Sequence, residues 1–305
     1  MYLKLVQMTC VIAFIAIVFS AYARLSDAGL GCANWPDCYA ENALKQRQVP
    51  KYDVSRSHTS WQWKLQNQAG LLLGILSVLI CGMSWQKRRA MQQSPLLPTL
   101  LVVLMVFLGI FGVLAFSYLP RSIIVLIHLA GGIATLILLV WILLVNMMQA
   151  GISNENSHLK LFSVIGLVIA LIEVMLGGWV SSNFAALACT EFPLCQGSLM
   201  PAMDFSYSLE NEGLPLSKER LTAIHWMHRV GALFTVIYLG WLSFRVMAVR
   251  PLRHIGKTLI ILIIIQFLIG IFNVLFNLSL AIAVLHNAVA LLLLVLLVLL
   301  SFKVK

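Results

Sequence analysis

Three histidines interrupt otherwise apolar stretches: His128 in "VLIHLAGG", His228 in "AIHWMHRVGAL" and His286 in "VLHNAVALLLL". His225 and Arg229 flank His228. An ionisable side chain inside hydrocarbon is costly, so it marks function or has found a hydrogen-bond partner. At a helical rise of about 1.5 Å per residue, His228 lies roughly 9 Å beyond Thr222, His128 roughly 10 Å beyond Arg121 and His286 roughly 13 Å beyond Asn277. Neighbouring antiparallel helices bring His228 and His286 to one level. Two facing imidazoles suit axial ligation of a haem iron, which an apolar four-helix bundle accommodates. Arg229, one residue beyond a ligand, suits a haem propionate through a charge-assisted bond. The chain has no Cys-x-x-Cys-His, so such a haem is held without thioether links. Zinc fits less well, because no third or fourth ligand occurs at that depth.

The elements that carry these residues follow from composition. Of 305 residues, 61% are hydrophobic and 10% charged, outside the range of soluble domains. Eight apolar runs are long enough to span a bilayer, at about 5–23, 66–85, 96–118, 123–148, 160–180, 224–246, 258–277 and 279–301. The expected fold class is an all-α integral membrane protein whose eight helices form two tandem four-helix bundles, 1–150 and 151–305. The first run also has a signal-peptide reading, from Lys4, its apolar core and "AYA" at Ala21 to Ala23, but it is long for a signal core.

Lys87, Arg88, Arg89, Arg245, Arg250, Arg253, Lys257, Lys303 and Lys305 fall on one side of alternating spans. That predicts a multi-pass protein of the cell inner membrane with both termini cytoplasmic. The net charge of +10 reflects topology and attraction to the lipid surface; no basic soluble face exists for nucleic acid. A transporter lacks support, since neither half shows Gly- or Pro-broken helices at the midplane. His158 and His254 are expected in solvated cytoplasmic loops. A homo-oligomer is neither required nor excluded.

The two long outer loops repeat a pattern. "GLGCANWPDC" (Gly29 to Cys38) and "ALACTEFPLC" (Ala186 to Cys195) align without a gap, each with cysteines six positions apart. In an oxidising compartment this spacing favours the disulfides Cys32–Cys38 and Cys189–Cys195, with metal binding as the rival. Cys10 and Cys81 lie within apolar helices and read as packing residues. The chain reads as a duplicated four-helix unit with parallel repeats. Within that repeat His225 falls on Trp63, His228 on Gln66 and Arg229 on Asn67.

These motifs together resemble the heme A synthase family across essentially the whole chain. "YARLSDAGLGCANWPDCY" is similar to the family's Arg-Leu-(Ser/Thr)-x-x-Gly-Leu-x-Cys-x-x-Trp-Pro-x-Cys signature, and "LGGWVSSNFAALACTEFPLCQG" to its second-half counterpart. The resemblance implies a membrane oxidoreductase that converts heme O to heme A for terminal oxidase assembly, oxidising a porphyrin methyl to formyl. It implies heme b as cofactor in the C-terminal half on His228 and His286, and heme O as substrate in the N-terminal half near His128. It further implies heme O synthase and an electron donor as partners.

One motif departs from the family. Where its second helix has Glu-x-x-His-Arg, this chain has Trp63, Gln66 and Asn67, so no catalytic carboxylate is assigned. Gln66 has no imidazole lone pair to give iron. His58 precedes that helix and is not at the ligand position. Two alternatives to the enzyme therefore stand: a non-catalytic haem-binding protein in haem handling or oxidase assembly, and a bis-His electron carrier.

Overall fold

The computed structural model describes residues 1–27, 61–91, 94–114, 121–147, 158–206 and 216–304. Among them are eight helices long and apolar enough to cross a membrane. They are α1 (Tyr2–Asp27), α2 (Trp61–Met91), α3 (Leu96–Leu114), α4 (Arg121–Met147), α5 (His158–Ser182), α6 (Lys218–Met247), α7 (Arg253–Leu275) and α8 (Leu280–Lys303). A polypeptide in lipid must satisfy its backbone polar groups within each segment, which is why every span is helical.

Several helices outrun the apolar stretches. α6 begins at Lys218 rather than near 224, because Ser217 caps it: its Oγ accepts a hydrogen bond from the Arg220 amide at 3.3 Å. Glu219 in its first turn suits the positive end of the helix dipole. His158 and His254 are exposed, but both belong to the first turns of α5 and α7 and not to loops. Hydropathy ends where charge begins; helical hydrogen bonding continues into water.

The first four helices pack in the ring α1–α2–α3–α4–α1, and the last four in the ring α5–α6–α7–α8–α5. α8 also packs against α1 and α4, and α4 against α5, so one apolar core runs through both rings. α1 contributes Tyr2, Val6 and Ala13 to that core, and the small residues Ala21 and Ala23 of the "AYA" stretch are buried as well. Lipid is as apolar as leucine, so packing and small residues hold such helices together. Gly256 illustrates this, since a Cβ there would stand 2.9 Å from the Ser243 carbonyl oxygen of α6. Buried Thr9, Ser77, Thr135, Ser163 and Ser243 each satisfy their hydroxyl by donating to the carbonyl four residues earlier.

Tight connections set the registers that matter. Asn277 and Leu278 adopt positive φ (48° and 60°), and the Leu278 amide donates to the Asn273 carbonyl at 2.7 Å. That left-handed turn folds α8 straight back along α7.

Candidate functional site

Each of the three intramembrane histidines stands against a glycine on the adjoining helix. His228 on α6 meets Gly177 on α5, where a Cβ would come within 3.2 Å of the imidazole Cε1. His286 on α8 meets Gly270 on α7 at the same 3.2 Å. His128 on α4 meets Gly112 on α3, with its Nε2 3.2 Å from the position of a Cβ. Any larger residue would displace the ring.

Polar groups stand one helical turn before two of those glycines. Glu173 of α5 places Oε1 2.7 Å from His228 Nδ1, though out of hydrogen-bond line. Gln266 of α7 places its amide nitrogen 3.2 Å from His286 Nε2. His128 is held differently: its Nδ1 donates to the Ile124 carbonyl of its own helix at 2.9 Å, which leaves the Nε2 lone pair facing Gly112. The Phe111 ring lies 5.7 Å from it, centroid to centroid.

The fourth corner has no imidazole. Gln66 of α2 donates its amide to the Ser20 hydroxyl of α1 at 3.2 Å. Carrying the gapless 157-residue offset of the loop motifs back along the chain, Ser20 answers to Gly177. Trp63 is half-buried and Asn67 exposed. Trp61, at the start of α2, packs against Phe19 and Tyr22 at 5.9 and 6.3 Å.

α6 and α8 are diagonal members of their ring, as are α2 and α4 of theirs, so His228 and His286 lie on one diagonal pair of helices and Gln66 and His128 on the other. A haem fits the C-terminal arrangement on chemical grounds. His228 Nδ1, His286 Nδ1, both Glu173 oxygens, Gln266 Oε1 and Asn273 Oδ1 are buried without hydrogen-bond partners. Unsatisfied groups of that kind are expensive in a bilayer. Two imidazoles and two glycine clefts within such a cluster suit a flat group with an iron centre. Among the described residues no three His, Cys, Asp or Glu side chains gather to hold a metal ion by themselves.

The α5–α6 loop packs on the N-terminal end of α6. Cys189 and Cys195 form a disulfide; Cys32 and Cys38 lie outside the described residues, as does His58. Cys10 and Cys81 are free thiols within helices. Arg229 binds this loop with three bonds, to the carbonyls of Leu194 and Cys189 at 3.0 Å and of Glu191 at 2.8 Å. Its Nε also reaches His225 Nε2 at 3.4 Å. Those four contacts leave one of the five guanidinium N–H groups for any propionate. Gln196 adds bonds to the Ala188 carbonyl and the Thr222 hydroxyl, and Trp226 one to the Leu199 carbonyl.

Sequence reasoning singled out the histidines but not Glu173, Gln266 or the three glycines. Glu173 had a visible signal, as the lone carboxylate within the 160–180 run.

A family described as "Cytochrome oxidase assembly protein" matches residues 4–298. The chain is 32% identical to the heme A synthase of Shewanella oneidensis, over 98% of this chain and 95% of that one. It is 23% identical to the heme A synthase of Halalkalibacterium halodurans, covering 89% and 86%. Identity to a heme A synthase of Bacillus cereus is 26%, covering 90% and 83%.

Proposed function

The chain belongs to the COX15-CtaA family of cytochrome oxidase assembly proteins, and on that premise we propose that it converts heme O to heme A, oxidising one porphyrin methyl to formyl for terminal oxidase assembly. The observation that carries the reading is the pair of glycine-faced imidazoles on diagonal helices α6 and α8. His228 and His286 hold heme b in the C-terminal half, residues 151–305. In the N-terminal half, residues 1–150, His128 presents Nε2 to heme O as its single imidazole ligand. Bound haem supplies redox chemistry at iron. The protein's own part is to orient each ring, exclude water with apolar helices and close the outer face with the disulfide loop.

Several finer assignments follow the same reading. The protein is a multi-pass component of the inner membrane with both termini in the cytoplasm. It receives heme O from heme O synthase, draws on an electron donor and is compatible with a homo-oligomer. Arg229 gives its remaining N–H to a propionate while it secures the loop.

A second reading rests on one observation, the Gln66–Ser20 bond that fills the corner opposite His128. It makes the chain a non-catalytic haem binder in oxidase assembly. Expression with a heme O source, followed by haem extraction, separates the two. Heme A in the extract supports conversion; heme B alone supports the binder.

A further inference from the structure

We propose that Glu173 is the positioning residue for His228: its carboxylate accepts the Nδ1 proton, so that Nε2 keeps its lone pair for iron. The inference rests on the proposed reading of His228 and His286 as the ligands of one haem.

The first support is geometry. Glu173 Oε1 stands 2.7 Å from His228 Nδ1, and both side chains are largely buried, at 14% and 22% exposure. The imidazole needs only to align with the oxygen to convert contact into a hydrogen bond. Neither Glu173 oxygen has another hydrogen-bond partner among the described residues, and neither does Nδ1. An isolated carboxylate in hydrocarbon costs several kcal/mol or more, so a span that keeps one uses it.

The second support is the space made for it. A Cβ at Gly231, three residues beyond His228 on α6, would collide with Glu173 Oε2. Gly177, one turn beyond Glu173 on α5, admits the imidazole edge. The absence of side chains at these two positions opens the α5–α6 contact to both the acid and the ring.

The third support is co-occurrence within the chain. By the 157-residue offset of the loop motifs, Glu173 answers to Ala16 and Gly177 to Ser20; in the separate alignment of the α6 and α2 openings, "HWMHR" over "WKLQN", His228 answers to Gln66. Where the imidazole is missing, the carboxylate and the glycine are missing too. Beside His286 stands a neutral side chain, Gln266, whose amide nitrogen lies 3.2 Å from Nε2 and not from Nδ1. The two imidazoles therefore have unequal neighbours, a carboxylate at His228 Nδ1 and an amide at His286 Nε2.

A carboxylate on the far nitrogen fixes the tautomer and makes the imidazole a stronger donor, which stabilises ferric iron. Glu173→Gln, Glu173→Leu and Glu173→Asp are made in the full-length, haem-loaded protein, with His228→Ala as reference. The readouts are the midpoint potential, the electron paramagnetic resonance of the ferric low-spin signal, and the rate of haem loss to apomyoglobin. The potential is expected to rise in the Gln variant and further in the Leu variant. Haem loss from the Leu variant is expected to quicken by about 10–100-fold, with the Asp variant close to wild type. An unchanged potential and signal in both Gln and Leu variants overturn the proposal, as does haem loss from Asp as fast as from Leu. If His228→Ala keeps the low-spin signal, the ligand reading itself fails. If that variant loses the signal while the Glu173 variants behave as wild type, only the role of Glu173 falls.

Discussion

Gln66 donates to Ser20 at 3.2 Å, in the corner of the first ring that corresponds to His228 against Gly177 in the second. The two pairs differ in both members, so restoring an imidazole alone is not enough. Gln66→His would drive the new ring against the Ser20 side chain. Combining it with Ser20→Gly, Asn67→Arg and Trp63→Glu should raise the ratio of bound haem to protein by one, read from haem extraction against quantitative amino-acid analysis. Equal ratios in the single and the combined variants would show that Ser20 and Trp63 do not obstruct the corner.

The glycine clefts give a prediction with an internal control. Gly177→Ala and Gly270→Ala each place a Cβ 3.2 Å from an imidazole carbon, tight enough to push the ring by a few tenths of an ångström. Both should weaken haem retention while the helices stay folded. Gly240 on α6 has nothing within 4 Å of its Cβ position, and Gly240→Ala should add about 0.5–1 kcal/mol of stability with haem retention unchanged. Thermal unfolding in detergent and haem transfer to apomyoglobin measure the two effects.

Arg229→Gln removes the guanidinium from the carbonyls of Cys189, Glu191 and Leu194. Bonds from a charged donor contribute about 1.5–3 kcal/mol each when buried and less when partly exposed, as here. The loop amides from 189 to 196 should exchange with deuterium about tenfold faster, with little change in the helical core. If exchange in the core rises equally, Arg229 supports the bundle and not the loop.

Acid should release the segment that precedes α6. The Ser206 hydroxyl and amide, followed by the Arg220 guanidinium, hold Asp204 down to about 2. The amide donates at 2.8 Å and Arg220 Nε at 2.9 Å. A carboxyl depressed in the folded state stabilises it above the unfolded value of about 3.9, and that contribution disappears as pH falls toward 2. Proteolysis by an acid-active protease should therefore open this segment between about pH 4 and pH 2. Asp204→Asn should lose the pH dependence and be open throughout.

The eight spans and the Cys189–Cys195 disulfide were legible because hydropathy and cysteine spacing are local properties. Helix ends were less so: Ser217 caps α6 seven residues before the apolar run begins, and no hydropathy window registers a cap. The histidines announced themselves as polar residues in apolar surroundings, but Gly112, Gly177 and Gly270 did not. Their role depends on the register between neighbouring helices, set by packing and by turns such as that at Asn277 and Leu278. Arg229 shows the same limit from the other side. Its place beside His228 pointed to a propionate, whereas most of its donors face loop carbonyls 35 to 40 residues earlier.

α8 touches α1, α4, α5 and α7, and Leu294, Leu297, Val298 and Leu300 along it are almost wholly enclosed. It is also the helix that leaves the ribosome after the other seven. Until it inserts, the second ring lacks a member, the faces of α1 and α4 that α8 covers stay open, and His286 has not yet reached the membrane. On the proposed ligand reading, His228 has no facing imidazole until α8 is in place. A nascent chain stalled before α8 offers no paired site in which haem could be trapped too early.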